Sequence, residues 1–273
     1  MIEDPAFSRL GFGVTGPHAG WAMPRRETRS LIRRAVSLGV TFFDTGPAYG
    51  RGEAERRLGD GLKAFPRDKV FVATKAGIGP GRRRDFSAGA VEMSLKASLD
   101  RLGMGRIDLL LLHGPAPEEI TDKLVRHLHA FKDRGMVRHL GVCGRGPELD
   151  TAIDSGAFDA LMAPVNAGIS EAETDRLHRA RAAGLSVIGI EVMAGARRSG
   201  FPRSRSDLWY HARRLKQRLS GRASSAPDTS PQHGLTWALE NAPADALVCL
   251  TTRHANLAEN ARLATLEAQA PAS

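Results

Sequence analysis

Four polar residues of this chain stand where chemistry would be built. Asp44 ends the apolar run VTFF, Lys75 follows VFVAT, His113 follows IDLLLL, and Tyr49 comes just after Asp44 in DTGPAY. An unperturbed phenol, with a pKa near 10, is a poor acid at neutral pH. A nearby ammonium stabilises phenolate and lowers that value, so Lys75 is expected to activate Tyr49 while Asp44 pairs with Lys75 and holds it. His113 would orient a carbonyl oxygen or share the proton. Taken singly, the four read as a helix cap, a packing aromatic, a surface charge and a core histidine. Their joint placement argues otherwise, and Tyr49 is one of only 2 tyrosines in the chain. The set suits delivering a proton to an oxygen. It contains no hydride donor, so carbonyl reduction would need a cofactor.

Such residues must be brought together by the elements that end in them. Short runs of β-branched and aliphatic residues recur at Leu10 to Val14, Val40 to Phe43, Val70 to Thr74, Ile107 to Leu112, His139 to Cys143, Ala160 to Ala163, Ser186 to Ile190 and Ala246 to Thr251. Continuous apolar runs mark strands buried on both faces. Helix-period segments lie between them, around Leu31 to Leu38, Val91 to Leu102 and Leu124 to Phe131. Gly39, Gly103, Gly135, Gly156 and Gly184 stand where helices should stop. Eight strand and helix units with no dividing linker predict a single (β/α)8 barrel, an α/β TIM barrel over residues 1–273. A chain of 273 residues suits that fold, which runs to about 250. Barrels of this kind keep their chemistry at the C-terminal ends of the strands, where all four residues fall.

With 39 Lys+Arg against 30 Asp+Glu, the formal charge is +9. Most of the excess is arginine spread over predicted helices, which reads as a basic solvated surface and not as a nucleic-acid site. The residues from 195 to 230 are the exception: a basic, mobile loop around one short helix is expected there. Ala268 to Ser273 reads as a frayed tail. The 2 cysteines, Cys143 and Cys249, read as reduced thiols of a cytoplasmic protein. No apolar run approaches the ~18 residues of a membrane span, and no leader is seen. The 9 histidines include no HExxH, so no metal site is expected. The protein would be a monomer or small homo-oligomer.

GFGVTG, from Gly11 to Gly16, matches GxGxxG, but Pro17, Gly20 and Pro24 follow where a dinucleotide-binding helix would have to begin. A turn closing the first strand is preferred. GIGPGRRR, from Gly77 to Arg84, lacks the Lys-Ser/Thr ending of a P-loop and reads as a loop on the active face. A nucleophilic Cys143 beside His113 is a further reading, set below a buried structural thiol.

The chain resembles the aldo-keto reductase family. The likeness rests on RLGFG at Arg9, GVTFFDTGPAYGRGEAERRLGDGL from Gly39, VFVATKAG from Val70, SLDRLGMGRIDLLLLHGP from Ser98, GMVRHLGVCG from Gly135 and TTRHANLAEN from Thr251. That resemblance implies a barrel reducing aldehydes and ketones with NADP(H), favoured here over NAD(H), bound without a Rossmann motif. By resemblance Tyr49 is the general acid, Lys75 and Asp44 tune it, and His113 positions the carbonyl. Gly13, Val14, Asp44, Cys143, Asn166 and Ile190 would then line the cofactor. Thr251, Thr252, Arg253, Glu259 and Asn260 would lie near the adenosine phosphate.

The departures matter too. Cys143 and Gly144 stand where the family has Ser-Asn, Met162 and Val165 replace its Gln and Tyr, and Ile190 replaces the aromatic that stacks on nicotinamide. Losing two or three hydrogen bonds at about 1 kcal/mol each would weaken the grip on that end. Reduction of a small polar aldehyde or ketone, or oxidation of the alcohol, is the first expectation. A redox-neutral dehydratase or isomerase, or a binding protein, is the alternative.

Overall fold

The computed structural model describes residues 1–194, 204–219 and 230–269. Eight strands, β1 (Leu10–Gly13), β2 (Phe42–Asp44), β3 (Phe71–Ala76), β4 (Ile107–His113), β5 (Val137–Cys143), β6 (Ala160–Pro164), β7 (Ser186–Ile190) and β8 (Ala246–Cys249), pair in sequence order. All pairs are parallel, and β1 with β8 closes the barrel. The helices are α1 (Arg25–Ser37), α2 (Glu53–Leu62), α3 (Ala88–Leu102), α4 (Asp122–Asp133), α5 (Pro147–Ser155), α6 (Glu171–Ala182), α7 (Arg205–Leu219), α8 (Pro231–Asn241) and α9 (His254–Gln269). The eight strands expected from the sequence are all present, and the fold is the (β/α)8 barrel.

Two cores follow from the two-residue period of a strand. Phe43, Val72, Leu110, Leu112, Leu140 and Val142 point outward and pack with the helices. Phe42, Phe71, Ala73, Leu109, Leu111, Cys143, Ala160, Met162 and Ile188 fill the lumen. Parity then decides the site. Asp44 shares a face with Phe42, Lys75 with Ala73, His113 with Leu111, and Ile190 with Ile188, so the polar residues continue the inward column of each strand. Register brings Asp44 beside Ala73, Lys75 beside Leu111, and His113 beside Cys143.

The opposite end of the barrel is stoppered by the N-terminal segment, which the sequence alone did not reveal. Ile2 and Ala6 join the inner core, and the Phe7 ring lies 5.0 Å from Phe42 and 4.8 Å from Phe71. The Ile2 amide donates to Ser186 Oγ at 2.7 Å, tying this stopper to β7.

The stretch expected to be loop around a short helix contains α7, a helix of 15 residues. Residues 195–203 and 220–229 of that stretch lie outside the described residues. Helix α9 continues to Gln269, into the segment expected to fray. After β1 the chain makes a single turn of 3-10 helix at Gly16–Ala19 before α1 begins at Arg25, which is not the strand-to-helix step a Rossmann fingerprint requires. No described helix is long and apolar enough to cross a membrane.

Candidate active site

At the C-terminal mouth of the barrel the Lys75 ammonium, 2% exposed, pairs with Asp44 Oδ1 and donates a second hydrogen bond to the Thr45 carbonyl at 2.9 Å. Burial works against this ammonium, but the Asp44 charge and hydrogen bond outweigh it and hold its pKa above the ordinary lysine value. Burial also pushes the Asp44 carboxyl up, against Lys75. The charge-separated pair is the resting state, because neutral Asp44 would leave a buried ammonium with no counter-charge.

Tyr49 lies over this pair, with Lys75 Nζ 5.3 Å from its ring centroid. Two glycines let it sit there. A Cβ on Gly46 would come within 3.2 Å of Tyr49 Cε2. Gly50 has φ +60°, and a Cβ there would lie 2.0 Å from the Ala19 carbonyl oxygen, so the loop after β1 presses directly on the backbone beside Tyr49. The His113 ring meets Tyr49 edge-on, at 5.9 Å between centroids. Asp44, Tyr49, Lys75 and His113 therefore converge.

One electrostatic expectation is corrected. The Tyr49 pKa is raised, not lowered: burial penalises phenolate, Lys75 opposes this, and Asp44 and Cys143 add to the penalty. Lys75 brings its own counter-anion, which spends much of the charge that would have activated the phenol. Tyr49 is thus fully protonated at neutral pH. His113 is lowered to about 3 by burial and then by Lys75, Arg145 and Arg82, so it is a neutral imidazole. Its Nδ1 is buried without a partner among the described residues. Burial pushes the Cys143 thiol up to about 11, which disfavours the nucleophile reading.

The residues expected near a cofactor divide into three kinds. Val14 is fully buried in the outer core and gives its amide to the Asp44 carbonyl at 2.8 Å, so its side chain faces the helices. Gly13, Cys143, Asn166 and Ile190 border the mouth. Asn166 Oδ1 accepts from the Gly168 amide at 3.0 Å, and its Nδ2 donates to the Glu191 carbonyl at 3.5 Å. Ile190 packs on the inner core. Beyond β8, Thr251 and Asn260 are buried, and Thr252 Oγ1 is a buried hydroxyl with no partner among the described residues. Arg253 is held by Asp207 of α7, and Glu259 by Arg262 at 2.8 Å.

Sequence reasoning missed two features of this rim. Arg145 and Glu191 form an ion pair linking the loops after β5 and β7, and Glu191 takes φ +57°. His18, fully buried, joins the loop after β1 to the segment after β8: Nε2 lies 2.9 Å from the Thr251 carbonyl and Nδ1 lies 3.1 Å from Thr28 Oγ1. A carbonyl only accepts, so the network assigns the proton to Nε2 and makes Nδ1 the acceptor. Burial lowers His18 to about 4, helped by Arg57 and opposed by the Thr251 bond. No local pattern flags a contact 233 residues apart.

The Aldo/keto reductase family profile matches residues 9–270. The chain belongs to the aldo/keto reductase family. L-galactose dehydrogenase of Arabidopsis thaliana is 31% identical over 206 residues, covering 68% of this chain and 62% of that protein. D-threo-aldose 1-dehydrogenase of a Pseudomonas species is 26% identical over 302 residues, covering 96% and 91%. Among solved structures, an aldo-keto reductase from Klebsiella pneumoniae in complex with NADPH superposes with a TM-score of 0.69 at 19% identity, covering 94% of this chain and 85% of that one. Met162 and Val165, where the resemblance expects Gln and Tyr, are fully buried, one in each core, and offer no polar contact.

Proposed function

We propose that this aldo/keto reductase interconverts the carbonyl and alcohol forms of a small polar substrate with a nicotinamide cofactor, and that Tyr49 carries the proton. The observation that carries this reading is the packing of a protonated phenol between a buried ammonium–carboxylate pair and a neutral imidazole. The named relatives, dehydrogenases of L-galactose and of D-threo-aldoses, support a sugar or similar polyol as substrate.

The residues after β8 fit a nucleotide: Thr252 Oγ1 is a buried hydroxyl with no partner among the described residues, and Asn260, further along the same segment, is buried. Asn166, Cys143 and Ile190 would hold the nicotinamide end, mostly by apolar contact. When bound, the nicotinamide supplies or accepts the hydride. The chain's own residues do the rest. Tyr49 and His113 donate hydrogen bonds to the carbonyl oxygen and fix its orientation. As negative charge grows on that oxygen, the Tyr49 proton moves to it, and the Lys75 ammonium stabilises the phenolate left behind. Asp44 keeps Lys75 charged and in place throughout. In the oxidative direction the same phenolate takes the alcohol proton.

A second reading, redox-neutral proton transfer without nicotinamide, draws on the commitment of Asn166 to Gly168 and Glu191. A screen of aldoses and their polyols, following nicotinamide absorbance with wild type and Tyr49→Phe, separates the two. Tyr49-dependent absorbance change supports the first reading. Tyr49-dependent substrate loss with no absorbance change, and no nicotinamide binding, sinks it in favour of the second.

A further inference from the structure

Tyr49 is carried by a turn that backbone preference alone does not hold. Three residues in succession after it are left-handed: Gly50 at φ +60°, Arg51 at +56° and Gly52, the N-cap of α2, at +82°. An arginine is disfavoured there by its own Cβ, so the surroundings must fix the turn. One flank is the Ala19 carbonyl pressing on Gly50. The other is Arg101 of α3: a Cβ on Gly52 would lie 2.5 Å from Arg101 Cδ.

Arg101 is itself pinned. Its Nε donates to Glu55 Oε2 at 2.5 Å and its Nη2 to Ser98 Oγ at 3.1 Å. The Arg101 side chain is 12% exposed and that of Glu55 0%. The other carboxylate oxygen, Glu55 Oε1, accepts from Thr74 Oγ1 at 2.7 Å. Thr74 precedes Lys75 on β3 and, by strand parity, points out of the barrel where Lys75 points in. One buried carboxylate therefore ties the turn that bears the phenol and the strand that bears the ammonium to a common point.

From this the structure assigns Glu55 and Arg101 as positioning residues for proton delivery by Tyr49, acting from the helix side of β3 by holding the turn 49–52 so that the phenol stays over Lys75. The inference rests on the reductase reading above. Proton transfer depends steeply on geometry, and a misplacement of about 1 Å costs on the order of 10²-fold. The guanidinium suits the task because its planar fork holds Glu55 and Ser98 at once while its stem lies against Gly52.

The test is steady-state turnover of an aldose with nicotinamide by the full chain, in light and in heavy water, for wild type, Arg101→Leu, Arg101→Lys, Glu55→Gln and Ser98→Ala. Cofactor affinity is read by fluorescence and melting by circular dichroism. We expect Arg101→Leu and Glu55→Gln to lower kcat about tenfold or more, with KM and cofactor affinity changed by less than about twofold. The solvent isotope effect on kcat should rise as proton delivery becomes rate-limiting. Arg101→Lys, which keeps a charge for Glu55 but not the fork, should recover part of the loss. Ser98→Ala removes a single hydrogen bond from Arg101 and should lower kcat about two- to threefold, which keeps the inference testable where the larger changes prevent folding. Folded variants that melt lower yet keep the wild-type kcat and isotope effect mark the pair as structural only and overturn the inference, leaving the reductase reading intact. No nicotinamide-dependent turnover by the wild type overturns both.

Discussion

Replacing Asp44 by Asn tests the electrostatic frame of the site. In the wild type Lys75 is 2% exposed and its counter-charge is Asp44, 5% exposed. The substitution keeps shape but leaves the ammonium buried with no anion, which typically costs about 3–5 kcal/mol. An upper limit comes from the other way out. Discharging a lysine of ordinary pKa near 10.4 at pH 7 costs about 4.6 kcal/mol, at 1.36 kcal/mol per unit. At roughly 2–4 °C per kcal/mol for a domain approaching this size, Tm should fall by about 6–18 °C at pH 7. The pH dependence gives a second signature. In the wild type the raised Lys75 pKa contributes stability that is full below the ordinary lysine value and is lost as pH rises through the folded one. In Asp44→Asn burial pulls Lys75 below its ordinary value, so stability rises with pH and the gap to wild type narrows from pH 7 towards pH ~10. Differential scanning calorimetry at several pH values reads both. A loss under about 1 kcal/mol, or a gap that does not change with pH, would refute the buried ion pair.

Other outcomes follow from the same geometry. Because His113 is lowered to about 3 and the Tyr49 pKa is raised, kcat/KM for reduction should stay flat from about pH 5 to 9 and fall only in alkali; a titration near neutrality in the pH–rate profile would contradict this. His18, lowered to about 4, must take up a proton on unfolding below its ordinary value of 6.5. Stability should therefore fall as pH drops from about 6.5 to 4, with up to roughly 3 kcal/mol traceable to this group. Urea unfolding at pH 7, 5 and 4 should show a shallower acid loss in His18→Gln, and an unchanged slope would count against the assignment. Gly50→Ala should cost more than about 2 kcal/mol and lower turnover by displacing Tyr49, because its Cβ would fall 2.0 Å from the Ala19 carbonyl oxygen. Near-wild-type melting would mean the two loops are not pressed together.

Much of the site was legible because strand periodicity and barrel topology are local rules with a global result. Asp44, Lys75 and His113 end apolar runs, and parity turns all three into the lumen. Other features were not, for physical reasons. The sign of the Tyr49 shift is set by a competition between burial and Lys75 whose balance depends on where Asp44 lies. His18 to Thr251 and Ile2 to Ser186 span 233 and 184 residues, and neither leaves a mark on its neighbours in sequence. The aliphatic character of Val14 was visible, yet only the structure turns its side chain to the outer core.

The central claim is that Tyr49 delivers a proton in a nicotinamide-dependent reaction. The most direct measurement is turnover of an aldose or its polyol by wild type and Tyr49→Phe, with cofactor affinity measured alongside by fluorescence. The account predicts that kcat falls by about 10²–10⁴-fold while cofactor affinity changes by less than about twofold. A Tyr49→Phe enzyme within about threefold of wild-type kcat, or wild-type turnover that proceeds equally without nicotinamide, would contradict it.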